Sequence, residues 1–175
     1  VKLINSEYID HFYDQGKSVI IATGHYNNWE LLAVALNLEI KHQAVAIYQA
    51  LKNKFFDEKM QSSRGKFGLI LTSTKVARQE FEKGEGLIAV AFAFDQSPGK
   101  SNRCYWGRFL NQDTPMTFGA EKYAKDYDMP VLFMHLSKVK RGHYVYEFSD
   151  AIEDPRNTGH GEITQKINAL LEQDI

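Results

Sequence analysis

Residues Ser18–Glu30 read SVIIATGHYNNWE: a continuous apolar, β-branched run that stops at a glycine and passes into polar and aromatic residues. A run such as Ser18–Thr23, with no polar alternation, is a strand buried on both faces, the kind found inside parallel sheets. Asn27–Leu38 follows with helical spacing of Leu31, Leu32, Val34, Ala35 and Leu38. Strand, turn at Gly24 and helix are the opening of a strand–helix–strand unit, and the rest of the chain repeats that grammar.

Outward from this stretch, strands are expected at Gln43–Tyr48, Leu69–Thr72 and Leu87–Phe92. Helices are expected at Phe55–Phe67, with Phe56, Met60 and Phe67 inward, and at Thr74–Lys83. Asp95–Thr117 has no clear period, contains Pro98, Gly99, Gly107 and Pro115, and reads as a long functional loop. A helix (Phe118–Tyr127), a strand (Val131–His135), a turn at Arg141–Gly142, a strand (Tyr144–Phe148) and a surface loop (Asp154–Gly161) follow. Apolar strands alternating with helices predict an α/β sandwich: a mostly parallel central sheet flanked by helices, its last two strands antiparallel.

The 175 residues fit one domain with a real core. The chain opens within a helical stretch, Asn5–Gln15, and closes within another, Glu162–Glu172, with no linker between. Residues 1–175 are therefore expected to be a single catalytic domain cut at both ends from a larger protein. The net charge of −1 gives no argument for a nucleic-acid partner. The one cysteine, Cys104, excludes an internal disulfide and a cysteine-based zinc cluster. The longest apolar run, Leu87–Phe94, falls well short of the ~20 residues a spanning helix needs.

The chemistry is densest just after the first strand. Gly24 permits an unusual backbone turn, His25 precedes the helix, and Glu30 lies in its first turn or so. A neutral histidine is a competent general base, and one helical turn can bring a carboxylate to orient it. The plainer alternative is a loop histidine followed by a carboxylate that favours a helix N-terminus. The position outside the carboxyl end of a buried strand, where open α/β sheets bind ligands, favours chemistry. No Gly-x-Ser-x-Gly elbow is present, and Cys104 lies in a loop with no assigned base, so neither supplies an activated nucleophile.

Gly24-His25 through Asn28-Trp29-Glu30 resembles the signature of the late acyltransferases of lipid A biosynthesis, within the glycerolipid acyltransferase superfamily whose hallmark is His-x4-Asp/Glu. The likeness continues in order along the chain: Tyr48–Gly68, Asp95-Gln96, Phe109-Leu110-Asn111 through Thr114, Gly119, Met129-Pro130-Val131 and Gly142–Phe148. Gln49 and Ala50 depart from the basic residue and proline usual after this tyrosine, which weakens the case for position 49 as a phosphate ligand. The resemblance implies transfer of a fatty acyl chain from an acyl thioester, on acyl carrier protein or coenzyme A, to a hydroxyl of a lipid A precursor. A glycerophospholipid or an aminolipid is the alternative acceptor. His25 and Glu30 would be the catalytic dyad; Asn28, Arg64 and Asp95 the substrate-binding residues. Arg64 would hold a phosphate or an oxyanion, Asp95 would pair with Arg64 or orient the acceptor, and Asn28 would cap the helix or bind substrate. No cofactor and no metal are implied. The implied place is the cytoplasmic face of the inner membrane, against the membrane surface, held peripherally or by an anchor outside this sequence.

Lys100, Arg103 and Arg108 beside Tyr105 and Trp106 suit a lipid interface or an acidic carrier protein, or a plain solvated loop. His11, His42, His135, His143 and His160 share no ligand spacing and read as structural or exposed. A metal-dependent hydrolase would need a second ligand cluster, and a nucleotide-binding module a Gly-x-Gly-x-x-Gly turn; neither is present.

Overall fold

Val19–Thr23 is buried at all five positions and forms β2, the middle of a sheet. The computed structural model describes residues 1–73, 76, 86–98 and 104–175. The helix expected over Thr74–Lys83 falls, but for Val76, outside them, as do Lys100 and Arg103. The remaining strands are β1 (Lys2–Leu3), β3 (Gln43–Ile47), β4 (Ile70–Thr72), β5 (Ile88–Ala93), β6 (Cys104–Phe109), β7 (Gln112–Thr117), β8 (Val131–Lys140) and β9 (His143–Ile152). Helices are α1 (Ser6–Asp14), α2 (Trp29–Glu39), α3 (Lys54–Arg64), α4 (Gly119–Tyr127) and α5 (Glu162–Asp174).

Among the described residues the main sheet has seven strands in the order β1-β9-β8-β2-β5-β3-β4. β2, β3, β4, β5 and β8 run one way, and β9 and β1 the other. The mostly parallel α/β sandwich is therefore present, with the expected antiparallel pair at β8–β9. One face packs α1 and α2, through Ile9, Phe12, Leu32 and Leu36, on Val19, Ile21, Leu132 and Met134. The other packs α4 and α5, through Ala120, Ala124, Ile163, Ile167 and Leu171, on Ile20, Ala22, Val90 and Phe133. Adjacent residues of β2 feed opposite cores, which is why that stretch has no polar alternation.

Three expectations are corrected. The segment read as a loop contains an antiparallel hairpin, β6–β7, in which Trp106 faces Pro115 and Arg108 faces Asp113. Leu110 and Asn111 turn it with φ of 48° and 62°, the two-residue left-handed turn that matches strand twist. Phe56 and Phe67, expected inward, are exposed, and α3 buries no residue. In α2 the buried stripe is Leu32 and Leu36, while Leu31 and Leu38 face out.

Beneath the second core Glu121 is fully buried. Its carboxylate accepts from Gly161 N, Thr164 N and Thr164 Oγ1 at the start of α5, and pairs with Lys125 at 3.1 Å. Burial pushes its pKa up, but the donated hydrogen bonds outweigh that and hold it below the usual carboxylate range. His135 ties α5 to the sheet, with Nδ1 2.7 Å from Asp174 and Nε2 2.7 Å from Ser149.

Candidate active site

β2 and β5 are parallel neighbours with Thr23 opposite Ala93. Their carboxyl ends therefore release Gly24-His25 and Phe94-Asp95 side by side. The Asp95 carboxylate takes both hydrogen-bonding groups that His25 offers: backbone N–H to Oδ2 at 2.6 Å, and ring Nδ1 to Oδ1 at 2.7 Å. A carboxylate only accepts, so Nδ1 carries a proton, and in the neutral ring the lone pair is on Nε2. Among the described residues Nε2 has no partner, and the side chain keeps 29% of its surface open.

Gly24 makes this approach possible. A Cβ there would lie 2.6 Å from Leu171 Cδ1 and 3.3 Å from Asp95 Oδ2. The glycine was expected for a special backbone turn, but its φ is not left-handed; Asn27, with φ 51°, makes the turn. Asn27 Nδ2 donates to Leu136 O at 2.6 Å, and Tyr146 Oη donates to Asn28 O at 3.0 Å. Burial pushes the Tyr146 phenol up to about 12, so it remains a donor. The turn is thus fastened to β5, β8 and β9.

Glu30 stands at the same edge, but its carboxylate is turned toward α3. Arg64 Nε donates to Oε2 at 2.9 Å and Nη2 to Oε1 at 2.5 Å, a two-pronged ion pair. The carboxylate on the His25 ring is therefore Asp95 and not Glu30, and the partner of Arg64 is Glu30 and not Asp95. The reason is chain direction: His25 leaves β2 beside β5, while the first turn of α2 carries Glu30 toward α3. Trp29 joins the two pairs. Its ring meets the His25 ring edge-on, centroids 4.7 Å apart at 89°, and the Arg64 guanidinium lies 4.9 Å from its centroid. Asn28 caps α2, Oδ1 accepting from Leu31 N at 3.3 Å.

His25, Trp29 and Arg64 line a cavity of about 640 Å³ among α2, α3, β3, β4 and β5, a size usual for small-molecule sites. Its wall is apolar along α2, through Leu32, Ala33 and Leu36, and Leu69 and Leu71 also line it. From Trp29 to Leu36 the helix rises ~10 Å. Gln96 also lines it, so Asp95-Gln96 gives one residue to the imidazole and the next to the cavity. Among the described residues no three His, Cys, Asp or Glu side chains converge as a metal set.

Asp95 as partner of His25, and Trp29 as the link to Arg64, were the features that sequence reading missed. The signal for Asp95 was its place at the end of an apolar strand; what sequence order hides is that β5 lies against β2. A largely apolar slot beside an oriented base suits proton removal from a hydroxyl next to a bound alkyl chain. The family profile described as bacterial lipid A biosynthesis acyltransferase matches residues 1–175, the whole chain. No curated protein sequence matches it.

Proposed function

This chain belongs to the bacterial lipid A biosynthesis acyltransferase family and is an acyltransferase; from that premise we propose that it moves a fatty acyl chain from a thioester donor to a hydroxyl of a lipid A precursor, with His25 as general base and Asp95 as the group that orients it. The observation that carries this reading is the doubly bonded Asp95–His25 pair, with His25 lining a largely apolar cavity.

The steps balance without an acyl-enzyme. Nε2 of His25 takes the acceptor's hydroxyl proton as the oxygen attacks the thioester carbonyl carbon. The tetrahedral intermediate collapses, the C–S bond breaks, and the departing thiolate takes the proton back from His25. Asp95 holds the ring in the productive tautomer and stabilises the imidazolium between these transfers. The N–H donors of Arg64 not used on Glu30 serve the intermediate's oxyanion or an acceptor phosphate. Glu30 acts through Arg64, and Arg64 bears on Trp29 and His25. The acyl chain lies along Leu32, Ala33 and Leu36. Acyl carrier protein or coenzyme A supplies the thioester, and the reaction takes place at the cytoplasmic face of the inner membrane. Among the described residues no helix is long and apolar enough to cross a membrane.

The test is acyl transfer by purified protein, followed by mass spectrometry of the lipid product, for wild type and His25→Ala. Loss of the base should lower turnover ~10²–10⁴-fold with little change in acceptor affinity. A folded His25→Ala variant with near-normal turnover would sink the mechanism.

A further inference from the structure

The first turn of α3 and the residues before it present a surface that the transfer mechanism does not use. Every residue from Leu51 to Phe56 is exposed. Leu51, Phe55 and Phe56 leave 46%, 62% and 59% of their surfaces in water. Three large apolar side chains grouped within six residues form a patch of the kind that marks an interaction site. Three lysines, Lys52, Lys54 and Lys59, stand among them, all exposed, and the Lys59 ammonium lies 5.9 Å from the Phe55 ring centroid.

The patch is built and not slack. Asn53 Oδ1 caps the helix, accepting from Phe55 N at 3.1 Å and Phe56 N at 3.4 Å. Asp57 folds back, taking Leu51 N at 2.8 Å and Gln61 Nε2 at 2.7 Å. That engages the Asp57 carboxylate within the helix start and leaves three exposed lysines against one exposed acid, Glu58. The patch also adjoins the cavity, whose lining includes Ala50, Leu51, Lys52 and, further along α3, Met60 and Arg64.

We infer that Leu51–Phe56, with Lys59, is a docking rim for a bilayer bearing anionic headgroups. The rim rests on the acyltransferase reading of the adjoining cavity and adds to it a route. Phenylalanines and a leucine suit the acyl–headgroup boundary, and lysines interleaved with them suit anionic phosphates. With the rim seated in the bilayer, the part of the cavity lined by Leu51 and Lys52 meets the boundary. A lipid chain then slides from membrane to cavity without crossing water.

The test is sedimentation of wild-type protein with vesicles of phosphatidylcholine alone and of phosphatidylcholine mixed with phosphatidylglycerol. Wild type should bind the mixed vesicles more tightly. Lys54→Ala with Lys59→Ala should weaken binding to mixed vesicles about 25-fold, at ~1 kcal/mol per lysine, and leave binding to neutral vesicles unchanged. Phe55→Ser with Phe56→Ser should weaken binding to both by about tenfold or more. The phenylalanine pair lies outside the cavity lining, so turnover on a short, water-soluble acyl thioester should stay at the wild-type level while turnover on vesicle-embedded acceptor falls. Because binding is read without turnover, the rim can be judged even if the acyl-transfer reading fails. Unchanged vesicle binding in the phenylalanine variant would overturn the rim. Wild-type protein that ignores both vesicles, including the case where it pairs with a second copy through α3, would overturn it equally.

Discussion

Replacing Asp95 by asparagine probes the geometry more sharply than removing it. The two groups Asp95 holds, His25 N–H and His25 Nδ1–H, are both donors at 2.6 and 2.7 Å. An asparagine keeps the shape but has one accepting oxygen and one donating NH₂. The backbone N–H cannot change its role, so the amide oxygen must face it. The NH₂ then faces Nδ1 and can bond only if Nδ1 gives up its proton. The ring is driven to the tautomer with hydrogen on Nε2, and the base is lost although every atom is nearly in place. The expected drop is on the order of 10³–10⁴-fold in kcat, about 4–5.4 kcal/mol of barrier. Asp95→Ala removes both contacts but imposes no tautomer, so it should lose less, roughly 10–100-fold. Steady-state kinetics of both variants, with circular dichroism to confirm folding, reads the order directly. An asparagine variant more active than the alanine variant, or retaining a tenth of wild-type turnover, would refute the reasoning.

Other outcomes follow from packing and charge. Gly24→Ala forces a Cβ against Leu171 Cδ1 at 2.6 Å and should lower stability by about 1–3 kcal/mol, read by urea unfolding; Leu171→Ala in the same chain should relieve part of it. Leu36 is buried and lines the cavity; Leu36→Phe takes up part of that space and should shift the preferred donor toward shorter acyl chains, read by competition between thioesters of different length. His42 is almost fully buried with Nδ1 unpartnered, and burial holds its pKa below the usual value. The unfolded chain therefore takes up a proton that the folded chain resists. That stability is present above pH ~6.5 and is lost as pH falls from there toward the lower folded value. His42→Phe should flatten this part of the dependence of the urea midpoint on pH.

The strands and the α/β class were legible because β2 and β5 lie between two cores and are apolar without interruption. The direction of the sheet and the place of His25 at its carboxyl edge followed from the same pattern. The β6–β7 hairpin was not legible, because Gly107 and Pro115 break the alternation and a leucine occupies a left-handed turn position where asparagine or glycine is the usual signal. α3 misled because its aromatic residues carry helical spacing, yet the helix lies along the rim of a cavity and has no core beneath it. The Asp95–His25 bond was hidden by sheet order. In sequence β3 and β4 intervene between β2 and β5; in space β5 separates β2 from β3.

That insertion bears on how the protein is made. A chain emerging in order offers β2, β3 and β4 before β5 exists, and β3 must remain apart from β2 so that a later strand can enter between them. Until it does, closing a loop of about 70 residues at its entropic cost, the imidazole has no carboxylate. Synthesis therefore yields no oriented base before the middle of the sheet is complete. A half-folded chain carries its histidine without the partner that fixes it, so the site matures only as β5 enters.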